Sequence, residues 1–231
     1  SYNIEGLGGV GTLAILELIG KRENIDVFCL QEMKWGIEAD FTTTTGWRLV
    51  LFGKWHSPAC CAFFIAPHLR PAVRGFLLTS DRVIAMTLHT VAGPLLIQNI
   101  HCESEDKSET KKLLVWKHAR DANAYYPSAF GKIACGDFNA RIHARKEHEQ
   151  HVLGQWVPGR GLDYLLSLPH TVNRNSLIEF CFEFGFKHMN SLFNHQPEEK
   201  FTFRDLKTPL GTLFTAEGYA ELDHCLANWK V

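Results

Sequence analysis

The sequence has no apolar run of 18 residues, which excludes a membrane-spanning helix. It lacks a basic N-terminal stretch followed by an apolar one, so no secretory leader is expected. It also lacks net charge: 24 basic residues stand against 25 acidic ones. That balance excludes a polybasic tail or nucleic-acid binding by global charge, but not a local basic groove. No Cys-x-x-Cys occurs among the seven cysteines, which are odd in number and mostly flanked by apolar residues, as in Val27-Phe28-Cys29-Leu30. Reduced thiols in an intracellular chain are therefore expected, rather than a disulfide framework or a cysteine zinc site. Repeats, low-complexity tracts and long linkers are missing too.

What is there is 231 residues, 45% of them hydrophobic, which suits one domain, 1–231, with a sizeable core. The chain begins at Ser1 rather than Met, as a fragment of something longer would. Short apolar runs, many alternating or rich in β-branched and aromatic residues, predict strands over Asp26–Leu30, Trp47–Phe52, Cys60–Ala66, Arg82–Thr90, Pro94–Ile100, Lys132–Cys135, Phe186–Asn190, Phe201–Arg204 and Leu222–Ala227. Val91-Ala92-Gly93-Pro94 predicts a hairpin turn between two of them. Helices are predicted over Gly11–Lys21, where Glu17 and Lys21 can pair, over Glu109–Tyr125 behind Ser108, and over Asn175–Phe184, ending at Gly185. Strands outnumber helices and come in consecutive pairs, a pattern of sheet packed on sheet with helices outside. The stretch Arg141–Arg174 has no clear period and is long for a loop.

Three patterns carry chemistry. Gly6-Leu7-Gly8-Gly9-Val10-Gly11 matches G-x-G-x-x-G and precedes a helix, with Glu32 closing the next strand, as in a dinucleotide fingerprint. The strand before it is short and carries Glu5, so a glycine-rich turn is the simpler reading. His148-Glu149-Gln150-His151 is one residue short of a zincin motif and shares its segment with Arg141, Arg145 and Lys146; a solvated basic loop able to meet phosphate is the simpler reading there. The third pattern is Gly136-Asp137-Phe138-Asn139 after a buried run, where the i,i+2 spacing puts both polar side chains on one side. Glu32, Asn3 and Asp223 also sit at strand ends or in a strand. Each residue alone is an ordinary cap or turn. Together they supply a cation ligand, a water-activating carboxylate and neutral amides for phosphate oxygens.

At these residues the chain resembles the endonuclease/exonuclease/phosphatase superfamily, and more narrowly the apurinic-endonuclease-like domain of non-long-terminal-repeat retrotransposons. The resemblance runs from Tyr2-Asn3-Ile4-Glu5-Gly6-Leu7 through Asp26–Glu32 and Gly136–Arg141, the most specific match. It continues through Asn175–Cys181, Met189–Phe193, Lys200–Arg204 and Tyr219–His224. It implies an α/β fold, a four-layer sandwich of two mixed sheets face to face with helices outside. It implies that Glu32 ligates Mg²⁺ or Mn²⁺ and that Asn3 positions the phosphate or its neighbours. Asp137 would orient or activate water, Asn139 would hold phosphate, and Asp223 would orient a catalytic histidine or support the site.

Two departures follow from the same resemblance. His101 stands where the family commonly has a phosphate-contacting tyrosine, and imidazole can donate a similar hydrogen bond. The family's later Ser-Asp-His motif is not in the sequence, so a C-terminally truncated domain is expected; Leu222-Asp223-His224 as a displaced version is the alternative. The implied activity is Mg²⁺-dependent nicking of DNA at a retroelement target site, by a monomer within a reverse-transcriptase polyprotein, nuclear if genomic DNA is the substrate. A phosphatase or phosphodiesterase of the same superfamily and an inactive nucleic-acid-binding remnant are the alternatives. Residues 141–161 and 205–218 are the candidate DNA-facing loops.

Overall fold

A computed structural model describes residues 1–4, 10–35, 37–52, 60–168, 171–204, 207–209 and 219–229. Most of the glycine motif at 6–11 and of the loop at 205–218 lies outside the described residues. The elements are β1 (Tyr2–Asn3), α1 (Val10–Glu23), β2 (Val27–Gln31), β3 (Ala39–Thr42), β4 (Arg48–Phe52), β5 (Cys61–Ile65), β6 (Val73–Ser80), β7 (Val83–Thr90), β8 (Gly93–His101), α2 (Glu109–Tyr125), β9 (Gly131–Asp137), α3 (Leu162–Ser167), α4 (Val172–Phe184), β10 (Lys187–His188), α5 (Pro197–Lys200), β11 (Phe203–Arg204), β12 (Tyr219–Ala220) and β13 (Asp223–Trp229). They fall into two compact units. One comprises Ser1–His101, Lys117–Asp137 and the C-terminal Trp229; the other comprises Cys102–Trp116 and Phe138–Asn228.

The first unit contains both kinds of layer. One sheet runs β1-β2-β5-β4-β3, and another places β9, β8, β7 and β6 side by side. β1 pairs with β2, and β8 with β9, in parallel; the other pairs are antiparallel, so both sheets are mixed. The whole of β5 is buried, because successive side chains of a strand point to opposite faces and both faces are covered. Ala62 and Phe64 pack with Leu13 and Leu16 of α1 and with Trp47, while Cys61, Phe63 and Ile65 pack against Ile84, Met86 and Ile97 of the other sheet. Gln98 of β8 donates to the Ala119 carbonyl of α2 at 3.0 Å. The result is the α/β sandwich of two mixed sheets with helices.

Between the sheets lies a polar clamp. Asn99 donates to the carbonyls of Leu30 and Ala62, both at 2.9 Å, and accepts from Gln31 at 2.6 Å. Asn99 and Gln31 are fully buried, and both are followed within two residues by a site residue, His101 and Glu32. Buried polar groups that lose a partner cost about 1–3 kcal/mol each, so Asn99→Leu is expected to destabilise the fold by about 2–4 kcal/mol. Urea denaturation would measure it; an unchanged midpoint would show that the clamp contributes nothing.

In the second unit, α4 buries Leu177, Ile178, Phe180 and Cys181 and ends at Gly185 in the left-handed region (φ 68°), where a Cβ would be strained. β10 and β13 pair antiparallel, His188 opposite Leu226.

Helix positions match the sequence expectation closely, and β7–β8 form the expected hairpin, Thr90 opposite Gly93. All seven cysteines are thiols. Differences have physical reasons. β6 was not expected: among the described residues it pairs with β7 alone, carries Gly75 and two register shifts, and is half-exposed without alternation. Phe186–Asn190 shortens to a two-residue strand followed by a 3₁₀ turn at Met189–Ser191. Glu17 accepts from the Thr45 hydroxyl at 2.5 Å, a tertiary partner in place of Lys21. The aperiodic stretch 141–174 holds a 3₁₀ turn at Glu147–Glu149 and α3.

Candidate active site

Parallel pairing decides where the site forms. Asn3 registers with Gln31 and His101 with Asp137, so β1 and β2 end together, as do β8 and β9. In the first unit these ends converge. Asn3 Nδ2 donates to Glu32 Oε1 at 3.3 Å and to Asp137 Oδ2 at 3.1 Å. His101 Nε2 lies 3.7 Å from Glu32 Oε1. One amide thus bridges two carboxylates, with an imidazole beside them. Four residues predicted from sequence, Asn3, Glu32, His101 and Asp137, are brought together across 134 positions of chain.

The backbone pays a strain for this placement. Glu32 adopts φ 55°, uncommon for a residue with a Cβ, immediately after the buried strand β2. Gly136 is obligatory for a different reason: a Cβ there would lie 1.8 Å from the Ile100 carbonyl oxygen. That close approach keeps β9 tight against β8 and sets the register that opposes Asp137 to His101.

Burial raises the Glu32 pKa, but hydrogen bonds from Lys34 and Asn3 and the charges of His101 and Lys34 outweigh it and hold the carboxyl below its usual value. Glu32 is thus an anion at neutral pH. Lys34 was not foreseen; its ammonium lies 3.0 Å from Glu32 Oε2. That position therefore already attracts positive charge. The carboxylates of Glu32 and Asp137, held together by the Asn3 amide, are hard oxygen donors, which suit Mg²⁺ or Mn²⁺. The residues fit a hard divalent cation.

Asn139 and Asp223 belong to the second unit. Asn139 has φ 47°, and its Nδ2 donates to the Cys102 carbonyl at 2.9 Å. Its own carbonyl accepts from Asn173, whose side chain also bonds Glu103 and Trp116. Asp223 opens β13, its backbone N–H bonded to the Thr202 hydroxyl and its carbonyl to Asn190. His224 points the other way and is buried. Its Nε2 lies 2.8 Å from the Ala140 carbonyl and its Nδ1 2.9 Å from His188 Nε2. A displaced catalytic histidine would have to reach substrate, and His224 is enclosed instead. Burial pushes the His224 pKa down to about 4 and that of Glu221 up to about 7.

The segment 141–161 is not simply solvated. Glu149 and Arg174 form a buried ion pair at 2.6 and 2.7 Å, and Arg174 also donates to the Ile142 and Ala144 carbonyls. His148 of the zincin-like motif is exposed, as are Arg141, Arg145 and Arg160. Burial, then the charges of Arg141, Arg160 and Arg174, push His143 down to about 4. Those arginines set up a positive field.

The mixed sheets and the acid–amide–acid cluster at their strand ends place the chain among the α/β sandwich proteins. The profile of the Endonuclease/Exonuclease/phosphatase family matches residues 1–228, and the chain belongs to that family. Its members are typically hydrolases of phosphodiester bonds, and its nucleases generally use divalent metal ions. Among solved structures, the AP endonuclease LMAP from Leishmania major is 16% identical, with 98% of this chain and 77% of that one covered and a TM-score of 0.64. The 3′ phosphatase NExo from Neisseria, bound to product DNA hairpin, is 16% identical (98% and 84% covered, TM-score 0.61). The endonuclease domain of TRAS1, a telomere-specific non-LTR retrotransposon, is 14% identical (97% and 82% covered, TM-score 0.59). At these identities the likeness is one of fold. No curated protein matches the chain.

Proposed function

We propose that this chain is a Mg²⁺-dependent DNA endonuclease that nicks a phosphodiester, of the kind a retroelement uses on its target site. The observation that carries the reading is the Asn3 amide bridging Glu32 and Asp137, with His101 alongside. Glu32 is the residue to hold Mg²⁺ or Mn²⁺, which supplies Lewis-acid charge at the phosphate when bound. Asp137 orients the attacking water or takes its proton, and the Asn3 amide fixes that carboxylate. His101 donates a hydrogen bond to a phosphate oxygen in place of the family tyrosine. Asn139 holds a phosphate oxygen through its amide without adding negative charge, and Asp223 orients or supports the site.

DNA as substrate is favoured by the exposed arginines at 141, 145 and 160, whose contacts to phosphate would be salt-dependent. The family match runs through both units, so we read 1–231 as one catalytic domain acting as a monomer. We read the domain as one of retroelement origin, beside a reverse transcriptase and with access to nuclear DNA, on the retroelement-like stretches Asn175–Cys181, Met189–Phe193 and Lys200–Arg204. A phosphatase is the second reading, favoured by the likeness to the 3′ phosphatase.

Supercoiled plasmid incubated with Mg²⁺ is expected to convert to the nicked form, and EDTA to stop it. Hydrolysis of a 3′-phosphomonoester without nicking would favour the phosphatase. Salt-dependent DNA binding without either reaction would identify a nucleic-acid-binding remnant.

A further inference from the structure

Outside the proposed hydrolytic cluster, the second unit contains a second convergence of ligating groups. His188 ends β10, His224 lies on β13, and Glu221 precedes it by three residues; all three are buried. One donor atom from each lies within 4.8 Å of the others. The tautomer of His224 follows from its surroundings. A carbonyl can only accept, so the Nε2 bonded to the Ala140 oxygen carries the proton. Nδ1 of the neutral ring is then a lone pair, and it faces His188 Nε2 at 2.9 Å and Glu221 Oε2 at 3.9 Å. An imidazole whose other N–H is tied to a backbone carbonyl is the arrangement by which proteins orient a metal-binding histidine.

The remaining atoms of the cluster are poorly satisfied. Both carboxylate oxygens of Glu221 and Nδ1 of His188 are buried without a hydrogen bond. Asn190 and the charge of Lys200 only partly offset the burial of this carboxylate, and a cation among the three groups would compensate the rest. Tetrahedral Zn–N bonds of about 2.0–2.1 Å place adjacent ligand atoms roughly 3.3 Å apart. The observed 2.9 and 3.9 Å bracket that spacing, so small side-chain shifts suffice. Two imidazoles and one carboxylate suit Zn²⁺ better than Mg²⁺, in contrast to the oxygen-only set around Glu32.

We propose that His188, Glu221 and His224 form a buried Zn²⁺ site, separate from the divalent-cation site at Glu32. Three protein ligands leave a fourth position for water. The ion would tie β10 to the start of β13. Through the His224–Ala140 bond it would also fix the backbone beside Asn139. The site does not depend on the hydrolase reading, because it concerns metal content and stability.

The test uses the full chain, stripped with a chelator and reloaded with Zn²⁺. Elemental analysis after gel filtration is expected to find about one Zn²⁺ per chain, with a higher Tm than the stripped protein has. Co²⁺ in its place is expected to give the intense visible absorption of a tetrahedral centre. His224→Gln and Glu221→Gln are expected to weaken Zn²⁺ binding at least ~10-fold and to abolish the Tm gain, the lower limit being the loss typical of disturbing a metal ligand's surroundings. Glu32→Gln should keep the Zn²⁺, which separates the two sites. Wild-type protein that retains no stoichiometric Zn²⁺ and shows the same Tm with and without it would overturn the proposal. So would a His188→Gln variant with undiminished affinity. Wild-type stoichiometry and the Co²⁺ spectrum decide the matter even where a variant fails to fold.

Discussion

Replacing Asp137 with asparagine is expected to lower the Mg²⁺-supported nicking rate by about 10²–10⁴-fold, the range over which general acid–base groups contribute. The side chains are nearly isosteric, so the change isolates charge and basicity from shape. In the native cluster Oδ2 accepts from the Asn3 amide, and the carboxyl is buried at the end of β9 opposite His101. An asparagine can still accept through its Oδ1, which preserves the Asn3 contact. It cannot take a proton from water. Stability should therefore change by less than about 1 kcal/mol, the scale of one neutral hydrogen bond. Single-turnover plasmid nicking with matched thermal unfolding separates the two effects. A variant that nicks at the wild-type rate would remove Asp137 from the chemistry and leave it a structural partner of Asn3. A variant that loses activity because it unfolds would show a lowered Tm, and Asp137→Glu would then be the informative comparison.

Much of this arrangement was legible because local signals and chemistry coincide. Gly136-Asp137-Phe138-Asn139 announces itself: a buried run, a glycine that only a tight strand contact requires, then polar residues two apart. Asp26–Leu30 followed by Gln31 and Glu32 reads likewise, and the expected strand is β2. Topology was not legible in the same way. The parallel pairing of β1 with β2 and of β8 with β9 brings the strand ends together, and neither pairing leaves a local trace. Residues whose role lies in a distant partner were invisible for the same reason. Asn99 looks like an interruption in an apolar run until the Leu30 and Ala62 carbonyls are placed beside it. Lys34 looks like a surface lysine. Glu221 and His188 stand 33 positions apart and acquire meaning only once β10 and β13 pair.

The same blindness to distant partners applied to the stretch around His148. His148 and His151 invited a metal reading, whereas the oxygens of Glu149 between them meet Arg174, 25 residues on. Arg174→Met is expected to destabilise the protein by about 3–5 kcal/mol, because removing one partner leaves a buried charge uncompensated. The loss exceeds that of a surface ion pair, since Glu149 and Arg174 are both only 2% exposed. The double variant Arg174→Met, Glu149→Leu should recover part of it. Recovery stays incomplete, because Arg174 also satisfies the Ile142 and Ala144 carbonyls, and Glu149 the Lys146 amide. Each orphaned buried group costs about 1–3 kcal/mol. A urea double-mutant cycle measures the coupling; equal losses in the Arg174 single and the double variant would show that the backbone bonds, not the ion pair, dominate. The pH dependence has a definite sign. Burial raises the Glu149 pKa, but the Arg174 and Lys146 contacts hold it below the unfolded value near 4.5. Its stabilisation is therefore complete above that value and is lost as the pH falls through the depressed folded pKa. Glu149→Gln should flatten this part of the acid limb. The exposed Arg141 and Arg145 ride on the backbone that Arg174 anchors, so a loosened segment should also bind DNA more weakly and with a shallower salt dependence.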